Sequence, residues 1–317
     1  DEWVAYQREA YKYSHGDYPT DMASLFGNPD YLDAYNQGKW IDWVDKVSGN
    51  TATTQKYSLS VSGGNEKTKI FASTSYSKET GLLDNEQLEK YALRLNIDQK
   101  VFDWAKVGFT SNLTYQDRDQ GVKNTFTKAL TSFPLGDVYD DLGNIKHEYI
   151  TGQYTPLGDF IPYQYANNTR STYVNVNGYV ELTPLKGLNF RSQLSATLSN
   201  SRQGQYWGDQ ASANLPSYAS GNHASAKNAY AWGYTWENVL SYNRKIAEDH
   251  DFTLQGITSW SKTTNENNTA AGNNQQLDIW QWHRLLSTSN PYVYSEYSQT
   301  QKMSYALRFN YSYKGKY

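Results

Sequence analysis

From residue 55 onward, apolar and polar positions alternate with period two. Tyr57, Leu59 and Val61 alternate with Ser58, Ser60 and Ser62; after the segment Gly63-Gly64-Asn65-Glu66-Lys67, Ile70, Ala72, Thr74 and Tyr76 alternate with Phe71, Ser73 and Ser75. Period two places successive side chains on opposite faces of a strand, and the Gly-Gly-Asn segment tolerates the positive φ of a tight hairpin turn. The same pattern recurs down the chain. Tyr91, Leu93, Leu95 and Ile97 oppose Ala92, Arg94, Asn96 and Asp98; Val107, Phe109, Leu113 and Tyr115 oppose Gly108, Thr110, Asn112 and Thr114; Val174, Val176, Val180 and Leu182 oppose Asn175, Asn177 and Glu181. Leu188, Phe190, Leu194, Ala196 and Leu198 then oppose Asn189, Arg191, Gln193, Ser195 and Thr197. Further apolar sets fall at Trp232, Tyr234, Trp236, Leu240 and Tyr242, at Phe252, Leu254 and Trp260, and at Met303, Tyr305, Leu307, Phe309, Tyr311 and Tyr313. The pattern predicts nine antiparallel strands, each with one uncharged face and one polar face.

The connections alternate in length. They are short at 63–67, 99–105, 183–187 and 244–250, and longer at 78–89, 117–168, 200–227 and 261–299. Long loops gathered at one end of a sheet are the habit of outer-membrane barrels, whose strands cross the bilayer in about 9–11 residues. A sandwich has water at both ends and no reason for the asymmetry. Residues 1–54 lack strand alternation: Trp3 to Tyr11 predicts a short helix with Trp3, Tyr6, Ala10 and Tyr13 on one face, and the rest, through Asn28-Pro29-Asp30, reads as ordered loop. Val138 to Asn144 has the Asp and Gly chemistry of a small turn.

Composition narrows the class. With 29 Tyr, 10 Trp and 10 Phe, aromatics make up 15% of 317 residues, yet mean hydropathy is -0.81. Aromatic girdles combined with a polar inner face give this mixture. No run of roughly 18 apolar residues exists, so transmembrane helices are excluded and spanning strands are not. A net charge of -3 and a pI of about 6.0 leave no basic footprint for nucleic acid. Zero cysteines remove disulfides, thiolate metal sites and cysteine nucleophiles. The opening Asp1-Glu2-Trp3-Val4 carries no cationic and then apolar leader, which for an envelope protein predicts further sequence upstream.

Leu59 to Thr68, read as Leu-Ser-Val-Ser-Gly-Gly-Asn-Glu-Lys-Thr, resembles the segment that opens an early hairpin in the barrel of SusC-like TonB-dependent outer-membrane transporters. Trp43-Val44-Asp45, Tyr91 to Asp98 and Arg308 to Lys314 extend the resemblance over most of the chain. It implies an all-β fold: a partial transmembrane antiparallel barrel, about nine strands of a larger, 22-stranded one. Residues 1–54 would be the extracellular loop of the first hairpin and residues 55–317 the barrel strands. It further implies import of oligosaccharides or peptides across the outer membrane of a Gram-negative, Bacteroidetes-type bacterium, a SusD-like surface lipoprotein as lid, and TonB coupling through a plug outside these residues. No cofactor is implied.

Candidate chemistry is sparse. His15, His147, His223, His250 and His283 share no metal-binding spacing, the acids near Asp140 depart from the calcium-loop pattern, and no nucleophile or phosphate motif occurs. Enzymatic activity has no positive support. Arg94, Asn96, Asn175, Arg191 and Arg308 are expected on the inner face, toward plug or solute. Among the loop aromatics, Tyr206, Trp207, Trp280, Trp282, Tyr292 and Tyr294 are candidates for stacking on solute, with loop packing as the bland alternative. Trp207 stands out because Gly204 and Gly208 bracket it. The rival reading is a secreted, soluble all-β carbohydrate-binding protein; the uncharged outward sets weigh against it.

Overall fold

The computed structural model describes residues 2–214, 221–247 and 249–315. Four helices open the chain: α1 (Glu2–His15), α2 (Met22–Phe26), α3 (Pro29–Asn36) and α4 (Trp43–Val47). The strands β1 (Thr53–Gly64), β2 (Thr68–Thr80), β3 (Gln87–Phe102) and β4 (Ala105–Asp119) follow. A long connection carries α5 (Thr125–Thr131) and the small hairpin β5 (Glu148–Ile150) and β6 (Gln153–Tyr154). The chain then runs through β7 (Tyr165–Leu185), β8 (Leu188–Trp207), β9 (His223–Ile246), β10 (His250–Asn273) and β11 (Ser289–Tyr313).

β1 to β4 and β7 to β11 form one nine-stranded antiparallel sheet in chain order. Its edges, β1 and β11, each pair on one side only among the described residues. The register keeps the two faces distinct across all nine strands. One row reads Ile70, Ile97, Phe109, Gly178, Leu194, Trp236, Trp260, Met303; a row on the opposite face reads Ser73, Arg94, Asn112, Asn175, Thr197, Gly233, Thr263, Thr300. Register shifts occur only near strand ends, at Lys100/Phe102, Leu182/Leu185 and Ala271/Asn273, so a residue's parity fixes its face. Leu93, Leu95, Leu113, Val176, Leu194, Leu240, Leu254 and Leu307 therefore share the apolar face, and Arg94, Asn112, Asn175, Arg191 and Arg308 share the polar one.

That apolar face is bare. Leu59, Leu93, Leu194, Leu240 and Leu307 are each half or more exposed. The buried cluster lies away from it, where residues 37–47 meet the β4–β7 connection: Ile41, Trp43, Val47, Leu83, Ala129, Val138, Tyr149 and Leu157. Trp43 Nε1 and the Tyr149 hydroxyl both donate to the Phe133 carbonyl, at 2.9 and 2.8 Å.

Three expectations are corrected. The stretch after Tyr18 is largely helical. Asp21, Asn28 and Asp42 accept from the N–H groups of Ser24, Asp30 and Asp45, capping α2, α3 and α4. Elements of one or two turns are too short for periodicity to register. In α1, Trp3 packs on Phe26 and Phe133, with ring centroids 6.2 and 5.2 Å away, while Tyr6 and Tyr13 remain 70% and 95% exposed. The expected face is therefore split. Finally, β7 to β11 run 20–25 residues. The connections expected at 200–227 and 261–299 shrink to 208–222, part of which lies outside the described residues, and 274–288. The extra strand is polar on both faces, as in Thr263-Thr264-Asn265-Glu266-Asn267-Asn268, so alternation could not reveal it.

Candidate functional site

The long connections meet at one end of the sheet. Asp159 accepts from the Ser212 backbone N–H at 2.9 Å and from its hydroxyl, while Lys128 Nζ donates to the Ser212 carbonyl. Burial raises the Asp159 carboxyl above its usual range despite the Ser212 bonds, and burial lowers the Lys128 ammonium. Gln164 ties two connections together: its Nε2 donates to Asp278 at 2.6 Å and its Oε1 accepts from the Gln210 N–H at 2.8 Å. The Asn222 amide donates to the Gln275 carbonyl at 3.0 Å. These bonds give the long-loop end of the sheet a fixed rim.

The candidate rings divide by face. Tyr206 has the parity of the apolar face, shows 0% exposure, and donates its hydroxyl to Asp278. Trp282 lies against Gly204, two residues back on the same face. Residues 278–282 therefore cross the apolar side of β8, and neither ring is available to a solute on the polar side. The two glycines are not bare either, since Trp282 covers Gly204 and Gln164 covers Gly208. Trp280 sits in the β10–β11 connection beneath the Arg284 guanidinium, 4.4 Å from its ring centre.

Trp207, Tyr292 and Tyr294 are on the polar face. Trp207 stacks on His223 at 5.4 Å, and the His223 ring nitrogen Nδ1 is 2.8 Å from Asn273 Oδ1. Tyr292 and Tyr294 belong to β11 and not to a loop, each 53% exposed, with the Tyr294 hydroxyl donating to Glu296. Between them the register places residues that the sequence did not single out: Asn167, Gln205, Ser225 and Ala271 lie in one row with Tyr292, and Gln203 donates to Asn167 at 3.1 Å. Flat rings flanking a field of amides and hydroxyls can cover an apolar ring face and bond polar groups beside it. No sequence signal marks this field, because the strands there carry polar residues on both faces.

Lower on the same face, Arg94 donates to Asn96 at 3.4 Å and Arg308 to Asn310 at 3.3 Å. Arg191 lies 3.9 Å over the Tyr179 ring and pairs with Glu181 at 3.3 Å, and the Tyr179 hydroxyl donates to Asp98 at 2.6 Å. Asn175 lies in the row of Arg94. Away from the wall, Asp140 serves its own turn, accepting from the N–H groups of Leu142 and Asn144; the Asn144 amide and these N–H groups hold its carboxyl below the usual range.

On the apolar face, aromatic residues bracket an uncharged band. Tyr57, Tyr76, Tyr91 and Tyr115 form one cross-strand row. On β9 the band runs from Trp232 to Tyr242 and on β10 from Phe252 to Trp260, spans of about 9–11 residues that match a tilted bilayer crossing. One row past the tyrosines this face turns charged, with Lys78–Glu89 at 3.2 Å and Arg170–Asp117 at 2.8 Å.

No protein-family model matches the chain. Three curated relatives are TonB-dependent receptors of Formosa agariphila. Receptor P26 is 29% identical over 292 residues, covering 87% of this chain and 28% of the relative; P3 is 28% identical over 308 residues, covering 90% and 29%. The third, P39, is 24% identical over 222 residues, covering 70% and 20%. The chain spans less than a third of the length of these relatives. Its fold matches chains from the RagAB peptide transporter (TM-score 0.68, 22% identity, 87% of this chain and 32% of that one) and from the RagAB importer in its open-open state (TM-score 0.70, 22% identity, 87% and 31%). All are named as receptors or transporters. The chain thus resembles part of a SusC-like TonB-dependent transporter, and its sheet has the fold of part of such a barrel.

Proposed function

We propose that these residues form part of the barrel wall of an outer-membrane importer of Gram-negative bacteria, with the apolar face toward lipid and the polar face toward the solute path. The observation that carries this reading is the bare apolar band with its aromatic borders. In water, leaving five leucines at least half exposed forgoes up to roughly 1.5–3 kcal/mol for each; in a bilayer the same face is solvated. The free edges of β1 and β11 require strands from elsewhere in the protein, because unpaired backbone is not tolerated in hydrocarbon.

The long-loop end is extracellular in this reading, with residues 1–54 as part of that surface. Import is driven by TonB through a plug outside these residues, and a surface lipoprotein covers the mouth. The relatives support this indirectly, through receptors named for TonB and a transporter named with two components. The solute is an oligosaccharide or a peptide, and Trp207, Tyr292 and Tyr294 are its contacts on this wall. Fractionating cells that express the full-length protein tests the assignment: the protein partitions with outer membranes and needs detergent for release. Release by salt or carbonate wash alone contradicts it and restores the soluble binding protein.

A further inference from the structure

The polar face is not evenly charged. On β7 and β8 the basic group is neutralised in place, Arg191 by Glu181. Lower on β3 and β4 it is too, Lys100 by Asp103 and Lys106 by Glu181; toward the long-loop end of β1, β3 and β4 it is not. Lys56 and Lys90 lie in one cross-strand row, separated only by Ser77, so their backbones are about 10 Å apart at ordinary strand spacing. Arg94 follows Lys90 by four residues on the same face of β3, and Arg118 lies on that face of β4, one row toward the mouth from Lys90. All four side chains are exposed, and among the described residues none is in an ion pair. Glu89, beside Lys90, points to the opposite face and is held there by Lys78, while Asp98, four residues past Arg94 on the polar face, accepts from the Tyr179 hydroxyl. Glu79 is the one acid in the adjoining row, which reads Thr54, Glu79, Leu88, Arg118.

Resting on the importer reading above, we infer that the Lys56–Lys90–Arg94–Arg118 strip draws in solutes bearing carboxylates, so that the transporter prefers an acidic oligosaccharide or peptide to a neutral one. Lys56 and Lys90 sit level with the Tyr57–Tyr76–Tyr91–Tyr115 row of the other face, at the mouth end of the spanning band, with Arg118 one row above them and Arg94 two rows below. A solute arriving from the long-loop side meets it before the lower wall. Charges lining one wall of a concave passage focus their field into it and raise the local concentration of counter-charged solute. Lysines and arginines without acid partners keep that field, whereas the Arg191–Glu181 pair cancels its own.

The test uses the full-length protein purified in detergent. Four probes separate charge from chemistry: an oligogalacturonate, a neutral xylo-oligosaccharide, a deca-glutamate peptide and a Gly/Ser decapeptide. Titration in low salt is expected to show saturable binding of at least one acidic probe, tighter than its neutral counterpart and weakened as salt rises. Lys90→Gln/Arg94→Gln should weaken that probe by roughly ten-fold and flatten its salt dependence, leaving neutral probes unchanged. Glu79→Gln, which removes the opposing charge, should tighten acidic binding by roughly two-fold. This gain cannot arise from a damaged fold. Equal binding of acidic and neutral probes, no binding of either acidic probe, or an acidic affinity indifferent to both variants overturns the strip. So does a change in thermal stability alone, which would mean that an acidic segment of the same protein occupies it. Failure of the importer reading looks different: the purified protein binds the acidic probe, but energised cells accumulate none of the four.

Discussion

Trp282 lies on the bare backbone of Gly204, so closely that a Cβ at residue 204 would overlap the indole. Through this contact the β10–β11 connection is pinned across the apolar side of β8. Gly204→Val should displace Trp282 and free residues 274–288, at about 1–3 kcal/mol of local overpacking. Hydrogen exchange should rise in 278–288 and not in β8 below Ser201. Unchanged protection there would mean that the connection is held by other contacts.

The Asp159–Ser212 junction predicts a pH dependence with a definite sign. Burial raises this carboxyl, so the folded state keeps its proton where the unfolded chain releases it. Its contribution is fully present below the ordinary value of 3.8 and is lost as pH rises through the folded pKa. Asp159→Asn should remove that dependence and hold the 120–164 and 208–222 connections at neutral pH. Asp159→Ala, which leaves the Ser212 donors without an acceptor, should cost about 1–3 kcal/mol. Limited proteolysis of the connections between pH 4 and pH 8 reads both effects.

Neighbouring residues with opposite parity should behave differently toward solute. Trp207→Ala, on the polar face, should weaken solute binding several-fold while assembly proceeds. Tyr206→Phe, whose hydroxyl holds Asp278 on the other face, should leave binding nearly intact and loosen the 274–288 connection. Isothermal titration and proteolysis of the two variants separate the roles, and equal loss of affinity in both would place them in one site.

How much of this was legible follows from where the faces differ. In the apolar band, Leu93 and Arg94 lie on opposite faces of opposite chemistry, and alternation alone gave the two faces of the nine strands. Above the band both faces are polar, so Thr263 to Asn268 carry no alternation and read as loop, and Tyr292 and Tyr294 go with them. The helices α2 to α4 were visible only in their caps, such as Asn28 before Pro29. What no pattern could supply was the path of residues 278–282, which puts Trp282 on the apolar side; Tyr206 has the parity of Leu194 and Leu198, but that parity shows only once β8 is seen to run to Trp207.

Charge placed on either face provides a stability test. Leu95→Arg, in the apolar band, should destabilise the folded transporter by about 2–4 kcal/mol, whereas Asn96→Arg, next to it on the polar face, should cost less than about 1 kcal/mol. Heat-modifiable migration after refolding into lipid vesicles gives the comparison. Equal costs would contradict the assignment of faces.

The central claim, that the apolar face meets lipid and the polar face does not, is most directly tested on β3. These 317 residues contain no cysteine, so single cysteines at positions 93 to 98 can each carry an environment-sensitive label in the full-length protein, provided any cysteine elsewhere is replaced. In bilayers containing a lipid-borne quencher, labels at Leu93, Leu95 and Ile97 should be quenched and those at Arg94, Asn96 and Asp98 should not. Uniform water accessibility through all six positions, or quenching at the even ones, would contradict it.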